Sequence, residues 1–259
     1  MDREQSQAEH AKSPGLEGRR ALVIGGTGGI GRAAALELGA RGAFVIVHGG
    51  ASCERLDSTL AALKSSGAGA DGFLLKLESA AGNVSRFVDG LSAFGRVDIL
   101  VVAFGPFTRS SLSGTKAADW ERLALLDLAL PGALCSALLP GMLERGWGRI
   151  LLFGGTRTDT IRPCATNAAY ASAKAGLAIL VKSLAAEGAA RNVSSVLACP
   201  GLVDTEYLDD GDRASLRAKA PAGRLFSAAE IAAAAIGLLA LDPCPASGAI
   251  VSLDGGLAW

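Results

Sequence analysis

Short, mainly apolar runs alternate along this chain with longer stretches of helical pattern. The runs at 20–24, 43–47, 72–75, 97–102, 149–153, 193–198 and 249–253 predict seven strands. The run Ala43-Phe44-Val45-Ile46-Val47 is apolar throughout and has no face to offer to water, as expected for a strand covered on both sides. The intervening stretches predict helices over 29–41, 53–65, 81–94, 116–145, 167–190 and 227–241, the fourth bent near Pro131, while 202–223 reads as irregular with helical portions. Ser227 with Glu230 three residues on is the expected N-cap of the last helix. Strand and helix in this regular alternation predict one α/β domain of the Rossmann type. Its seven-stranded sheet is parallel and doubly wound, with helices on both faces and ligands at the carboxyl ends of the strands. The expected domain spans 16–259, preceded by a flexible tail over 1–15 whose polar residues lack the apolar core of a signal peptide.

Composition narrows this picture. With 259 residues, half of them hydrophobic, the chain can bury a large core in a single domain. Lys plus Arg equals Asp plus Glu at 25 each, which gives no reason to expect nucleic acid or an anionic membrane as a partner. Five cysteines without a C-x-x-C pair predict neither a disulfide framework nor a metal site, and fit a reduced, cytoplasmic setting.

Two motifs carry chemistry. Between the first strand and the first helix lies Ile24-Gly25-Gly26-Thr27-Gly28-Gly29-Ile30-Gly31, a turn with room for a backbone approach to phosphate oxygens and a helix N-terminus behind it. The spacing G-x-x-x-G-x-G differs from the commoner G-x-G-x-x-G. The second motif is Tyr170-Ala171-Ser172-Ala173-Lys174, where a phenol and an ammonium four residues apart share one helix face. A neighbouring cation lowers a phenol's pKa from about 10 toward working pH, which suits proton exchange with an alcohol or ketone. At the end of the second strand, His48-Gly49-Gly50-Ala51-Ser52 holds no carboxylate before Glu54. A carboxylate there would favour a free ribose 2'-hydroxyl. Its absence, with Gly49, Gly50 and Ser52 as donors assisted by His48 or Arg55, points to a 2'-phosphate and so to NADP(H) over NAD(H).

With these motifs about 140 residues apart, the chain resembles the classical short-chain dehydrogenases/reductases. Three further stretches are similar to that family: Pro200-Gly201-Leu202-Val203-Asp204-Thr205, Arg224 through Glu230-Ile231-Ala232, and Gly248 through Val251 to Asp254-Gly255-Gly256. The overall pattern is most similar to 3-oxoacyl-[acyl-carrier-protein] reductases. The resemblance implies that Gly25, Thr27, Gly28, Gly29, Ile30, Gly31, His48, Gly49, Gly50, Ser52, Leu77, Ala103, Gly105, Tyr170, Lys174, Pro200, Gly201, Val203 and Thr205 hold the cofactor. Departures are equally specific. The family's N-N-A-G is Val102-Ala103-Phe104-Gly105, its adenine-contacting Asp falls on Lys76 or Leu77, and its catalytic Asn falls on Asp127. An acid at 127 either pairs with Lys174 and blunts its effect on Tyr170 or anchors a proton-relay water. The family's serine has no direct counterpart. Thr156, fourteen residues before Tyr170, is the first candidate hydroxyl and Thr158 the second.

The resemblance thus implies a hydride-transferring oxidoreductase. Tyr170 would be its general acid, Lys174 the phenol's electrostatic partner, and Thr156 and Asp127 the remaining catalytic residues. Its substrate would be a small carbonyl or alcohol, with an acyl thioester among the candidates, and its assembly a homotetramer. A binding protein without turnover, a sensor or scaffold, is the alternative that the altered positions suit.

Overall fold

The computed structural model describes residues 15–78 and 83–257. The predicted tail up to Pro14, and Ala81 and Gly82 of the predicted third helix, lie outside the described residues. In chain order the elements are β1 (Arg20–Ile24), α1 (Gly29–Ala40), β2 (Phe44–Gly49), α2 (Cys53–Ser65), β3 (Ala70–Leu74), α3 (Asn83–Gly90), β4 (Ile99–Val102) and α4 (Ala117–Ala124). Then come α5 (Leu130–Arg145), β5 (Gly148–Phe153), α6 (Ala168–Gly188), β6 (Val193–Pro200), β7 (Val203–Asp204), α7 (Asp210–Lys219), β8 (Phe226–Ser227), α8 (Ala228–Leu239) and β9 (Ala249–Leu253).

Among the described residues, seven strands form one parallel sheet in the order β3-β2-β1-β4-β5-β6-β9, as the alternation predicts. Residues 20–24 and 99–102 are buried almost throughout because helices cover both faces. On one face Val23, Val45, Val101, Leu151 and Val196 pack with Leu38, Ile231 and Ile236 from α1 and α8. On the other, Leu22, Leu100, Ile150 and Leu197 meet Leu130, Leu134, Leu177 and Val181 from α5 and α6. Burying each such leucine contributes about 1.5–3 kcal/mol. The stretches Ala117–Arg145 and Ala168–Arg191 are long and apolar enough to cross a bilayer by length and composition alone. Their apolar inward faces pack instead against the sheet.

The strand order reverses between β1 and β4, and a crevice opens there at the carboxyl ends. Gly25 leaves β1 with φ +78°, and a β-carbon on it would lie 2.8 Å from the Ala103 carbonyl oxygen just past β4. A β-carbon on Gly31 would strike the Gly25 carbonyl. The turn between β1 and α1 is therefore closed by backbone against backbone, which only glycine permits.

The fourth helical stretch departs from the sequence expectation in detail. Its irregularity is a π-helical turn, Leu125–Ala129, immediately before Leu130-Pro131, where Pro131 has no N–H to continue the helical ladder. The region 202–223 holds β7 and α7, and β7 pairs with β8 in a separate two-stranded sheet. The Ser227–Glu230 capping box forms as expected.

Candidate active site

A cavity of about 510 Å³ lies over the crevice. Of the residues assigned to the cofactor from sequence, Gly25, Thr27, Gly28, Gly29, Ile30, His48, Gly50, Ser52, Ala103, Gly105 and Thr205 line it together. Gly31 closes the turn beneath, and Gly49 is buried with no room for a side chain, since its β-carbon would lie 2.7 Å from Thr27 Cγ2. Pro200 ends β6, Gly201 follows it against Asp254, and Val203 lies in β7 beside the core. Leu77 is not part of this cavity. It is buried in the core with Phe87, beside Leu75 and Lys76, and the adenine assignment to it is not reproduced by its position.

His48 takes a different role from the phosphate-assisting one expected. The side chain is buried, its Nδ1 accepts the Gly25 N–H at 3.2 Å, and its Nε2 donates to the Leu75 carbonyl at 2.9 Å. This pattern requires the neutral ring, and burial holds its pKa below the ordinary 6.5. His48 therefore brings no positive charge to a phosphate. Phe73, Phe87 and Phe104 surround it at centroid distances of 5.3, 5.5 and 6.4 Å. This cluster braces the glycine turn and the end of β4, where the sequence lacks the family's side-chain amides. Nothing in the local sequence signals it, because the three phenylalanines come from separate elements.

At the other end of the crevice, Tyr170 and Lys174 share one face of α6 as their spacing predicts, with the ammonium 5.9 Å from the phenol's ring centroid. Phe107 packs edge-on against the phenol ring at 5.0 Å. Lys174 is 4% exposed and donates to the Phe153 carbonyl at 3.2 Å and the Phe104 carbonyl at 3.4 Å. Its Nζ lies 3.1 Å from Asp127 Oδ1. The π turn delivers Asp127 inward, where it is fully buried and neither oxygen has a hydrogen bond of good geometry. Burial pushes the Asp127 carboxyl up to about 6 against the opposing pull of Lys174, while burial lowers the Lys174 pKa against the pull of Asp127. Of the two roles considered for Asp127, this contact is the geometry of the first, an acid paired with the Lys174 ammonium. In keeping with that, the phenol's pKa lies above its ordinary value, raised by burial first and by the charges of Asp127 and Cys199 after it. Gly105 makes room for this arrangement, since a β-carbon there would strike Asp127 Oδ1.

The hydroxyls proposed in place of the family serine point elsewhere. Thr156 Oγ1 donates to the Gly201 carbonyl at 3.1 Å. Thr158 is buried, where its hydroxyl accepts the Gly155 N–H at 2.8 Å and donates to the Gly155 carbonyl at 2.9 Å. The backbone position that faces the phenol is Gly155, whose β-carbon would lie 2.9 Å from Tyr170 Oη. Counting back from Tyr170 misplaces this position. Counting forward from the strand, where Gly155 stands two residues after Phe153 at the end of β5, would have found it.

A doubly wound sheet with a glycine turn at its switch point, and a phenol with a buried ammonium beside it, defines a nucleotide-dependent oxidoreductase. Residues 19–214 match the short chain dehydrogenase family, and the chain belongs to that family. It is 34% identical over 245 residues to the 3-oxoacyl-[acyl-carrier-protein] reductase of Haemophilus influenzae, covering 93% of this chain and 99% of the relative. The reductase of the same name from Escherichia coli is 35% identical over 248 residues, covering 93% and 98%. Among solved structures, the 3-oxoacyl (acyl-carrier-protein) reductase of Agrobacterium tumefaciens with NADP bound superposes with a TM-score of 0.84 at 31% identity, covering 94% of this chain and 95% of that one.

The neutral-histidine brace has a pH signature. The unfolded ring takes up a proton near 6.5 while the folded ring resists it, so the stability His48 contributes is complete above pH 6.5 and is lost as pH falls toward its lowered folded value. The urea midpoint of the wild type should fall relative to that of His48→Gln between pH 7.5 and 5.5. A constant difference across that range would exclude the neutral brace.

Proposed function

We propose that this chain reduces a ketone to an alcohol, or runs the reverse reaction, with NADP(H) as cofactor. The observation that supports it most is that the backbone-lined phosphate cradle adjoins the Tyr170 and Lys174 pair: Gly105 lines the cavity, and a β-carbon on it would lie 2.9 Å from Lys174 Nζ. The cradle suits the dinucleotide: Gly25 and Gly31 leave no room for side chains, the Gly29 N–H sits at a helix N-terminus, and no carboxylate follows β2 before Glu54. Gly50, Ser52 and Arg55 line the side where a 2'-phosphate would be received. When bound, the nicotinamide supplies or accepts the hydride at the carbonyl carbon. Tyr170 gives its proton to the carbonyl oxygen in reduction and takes it back in oxidation. Lys174 keeps a positive charge beneath the site, shared with Asp127 and two carbonyls, and Phe107 packs edge-on against the phenol ring. Gly155 contributes no hydroxyl, and the phenol itself fills the space where a side chain at 155 would stand, which leaves Tyr170 as the donor for the substrate oxygen. A 3-oxoacyl thioester is the favoured substrate class, in line with the relatives. A homotetramer and a cytoplasmic location complete the proposal, the latter in keeping with five unpaired cysteines.

Tyr170→Phe removes only the proton donor. NADPH should bind as before, while NADPH oxidation with acetoacetyl thioesters falls at least about 100-fold. Wild type that binds NADPH and turns over nothing in a broad carbonyl panel would support the sensor reading instead.

Cofactor preference can be reversed at Gly50, where a β-carbon meets nothing within 4 Å, but not at the crowded Gly49. Wild type should bind NADPH more tightly than NADH by fluorescence titration, and Gly50→Asp should invert the order by setting a carboxylate against the 2'-phosphate.

Asp127→Asn removes one cause of the phenol's raised pKa and one support of the Lys174 charge. Both effects move the alkaline limit of ketone reduction to lower pH. Below about pH 6, where wild-type Asp127 is itself protonated, the kcat profiles of variant and wild type should converge. Superimposable alkaline limbs would remove Asp127 from the proton chemistry.

A further inference from the structure

At the mouth of the cavity the chain supplies its own anion. The N-cap of α1, Gly28, offers no side chain, and the first turn of α1 holds no acid. The Gly29 N–H donates instead to both carboxylate oxygens of Glu206, at 3.0 and 3.2 Å, from 177 positions away in sequence. The same carboxylate lies 3.6 Å from Arg55 Nη2. Arg55 Nη1 donates to Tyr207 Oη at 2.9 Å, and the guanidinium stands 5.1 Å from the centre of that ring. Tyr207 Oη and Glu206 Oε1 cover Gly28 so closely that a β-carbon there would strike the first and lie 2.7 Å from the second.

We propose that Glu206 is an internal stand-in for phosphate, a latch that occupies the N-terminus of α1 until the dinucleotide displaces it. The proposal rests on the reading of this cavity as an NADP(H) site. A helix N-terminus and an adjacent guanidinium favour negative charge, and the Gly29 N–H cannot serve a carboxylate and a phosphate oxygen at full strength together. Glu206 and the cofactor's phosphates therefore compete for one donor set. Arg55 and Glu206 are each more than 40% exposed, so the latch is weak enough for a ligand to open. Opening it also frees Arg55 to face an incoming phosphate. Glu206 in this way sets cofactor affinity without being part of the chemistry.

The test is a fluorescence titration of wild type, Glu206→Gln and Glu54→Gln with NADPH at fixed ionic strength. Glu206→Gln keeps the shape and removes the charge, and should bind up to about fivefold more tightly, the upper range for an exposed ion pair. Glu54→Gln removes a carboxylate from the first turn of α2, beside Arg55, and should bind as wild type does. Unchanged or weaker binding by Glu206→Gln, or equal tightening by Glu54→Gln, overturns the latch while the cofactor reading stands. No NADPH binding by any of the three overturns both.

Discussion

A positive charge that is 4% exposed, the Lys174 ammonium, is the constraint around which the catalytic end of this crevice is arranged. Removing such a charge from water costs several kcal/mol unless nearby oxygens replace the solvent. Here those oxygens come from three places: the end of β5 through Phe153, the residues after β4 through Phe104, and the π turn through Asp127. Each of these elements is held where it is by the sheet or by helix packing, so the site inherits its rigidity from the core. The carboxylate at 127 makes the compensation ionic, and so ties the phenol above it to a proton equilibrium that a neutral amide would lack.

The two ends of the crevice solve opposite electrostatic problems. The catalytic end keeps a buried pair of charges. The phosphate end keeps its buried histidine neutral and leaves charge to the exposed rim, where Arg55 and Glu206 meet. A neutral brace beneath the glycine turn lets the helix N-terminus act on an anion without a competing internal cation. The aromatic shell of His48 sustains that neutrality by keeping water away from the ring.

The sheet was legible because burial on both faces writes itself into the sequence as mainly apolar runs such as 43–47, and their regular alternation with helical stretches separates them from buried helix. Glycine positions in the first turn were legible for a related reason, since each is imposed by backbone contact. What stayed hidden depends on contacts distant in sequence. The acceptance by His48 of the Gly25 N–H joins the end of β2 to the end of β1, and the coupling of Glu206 to Gly29 joins residues 177 positions apart. The Thr156 hydroxyl was misdirected by a count across the loop before α6, whose length is free to vary, whereas the strand end fixes Gly155. The family resemblance points to Asp127, but the π turn that swings it inward leaves no mark in the apolar pattern.

The small ladder between β7 and β8 bears on how the chain moves. It clamps Val203 to Phe226 and Asp204 to Ser227, and the capping box then anchors the second of these strands to α8. The excursion between, with Thr205, Tyr207 and α7, is thus a loop whose two feet are fixed together. Its rearrangements resemble those of a flap on a closed hinge: the entropy of bringing the ends together is already spent in the folded state, and no displacement need pass into the main sheet. The strand that leads into the glycine turn and the helix that carries the phenol both lie outside that loop.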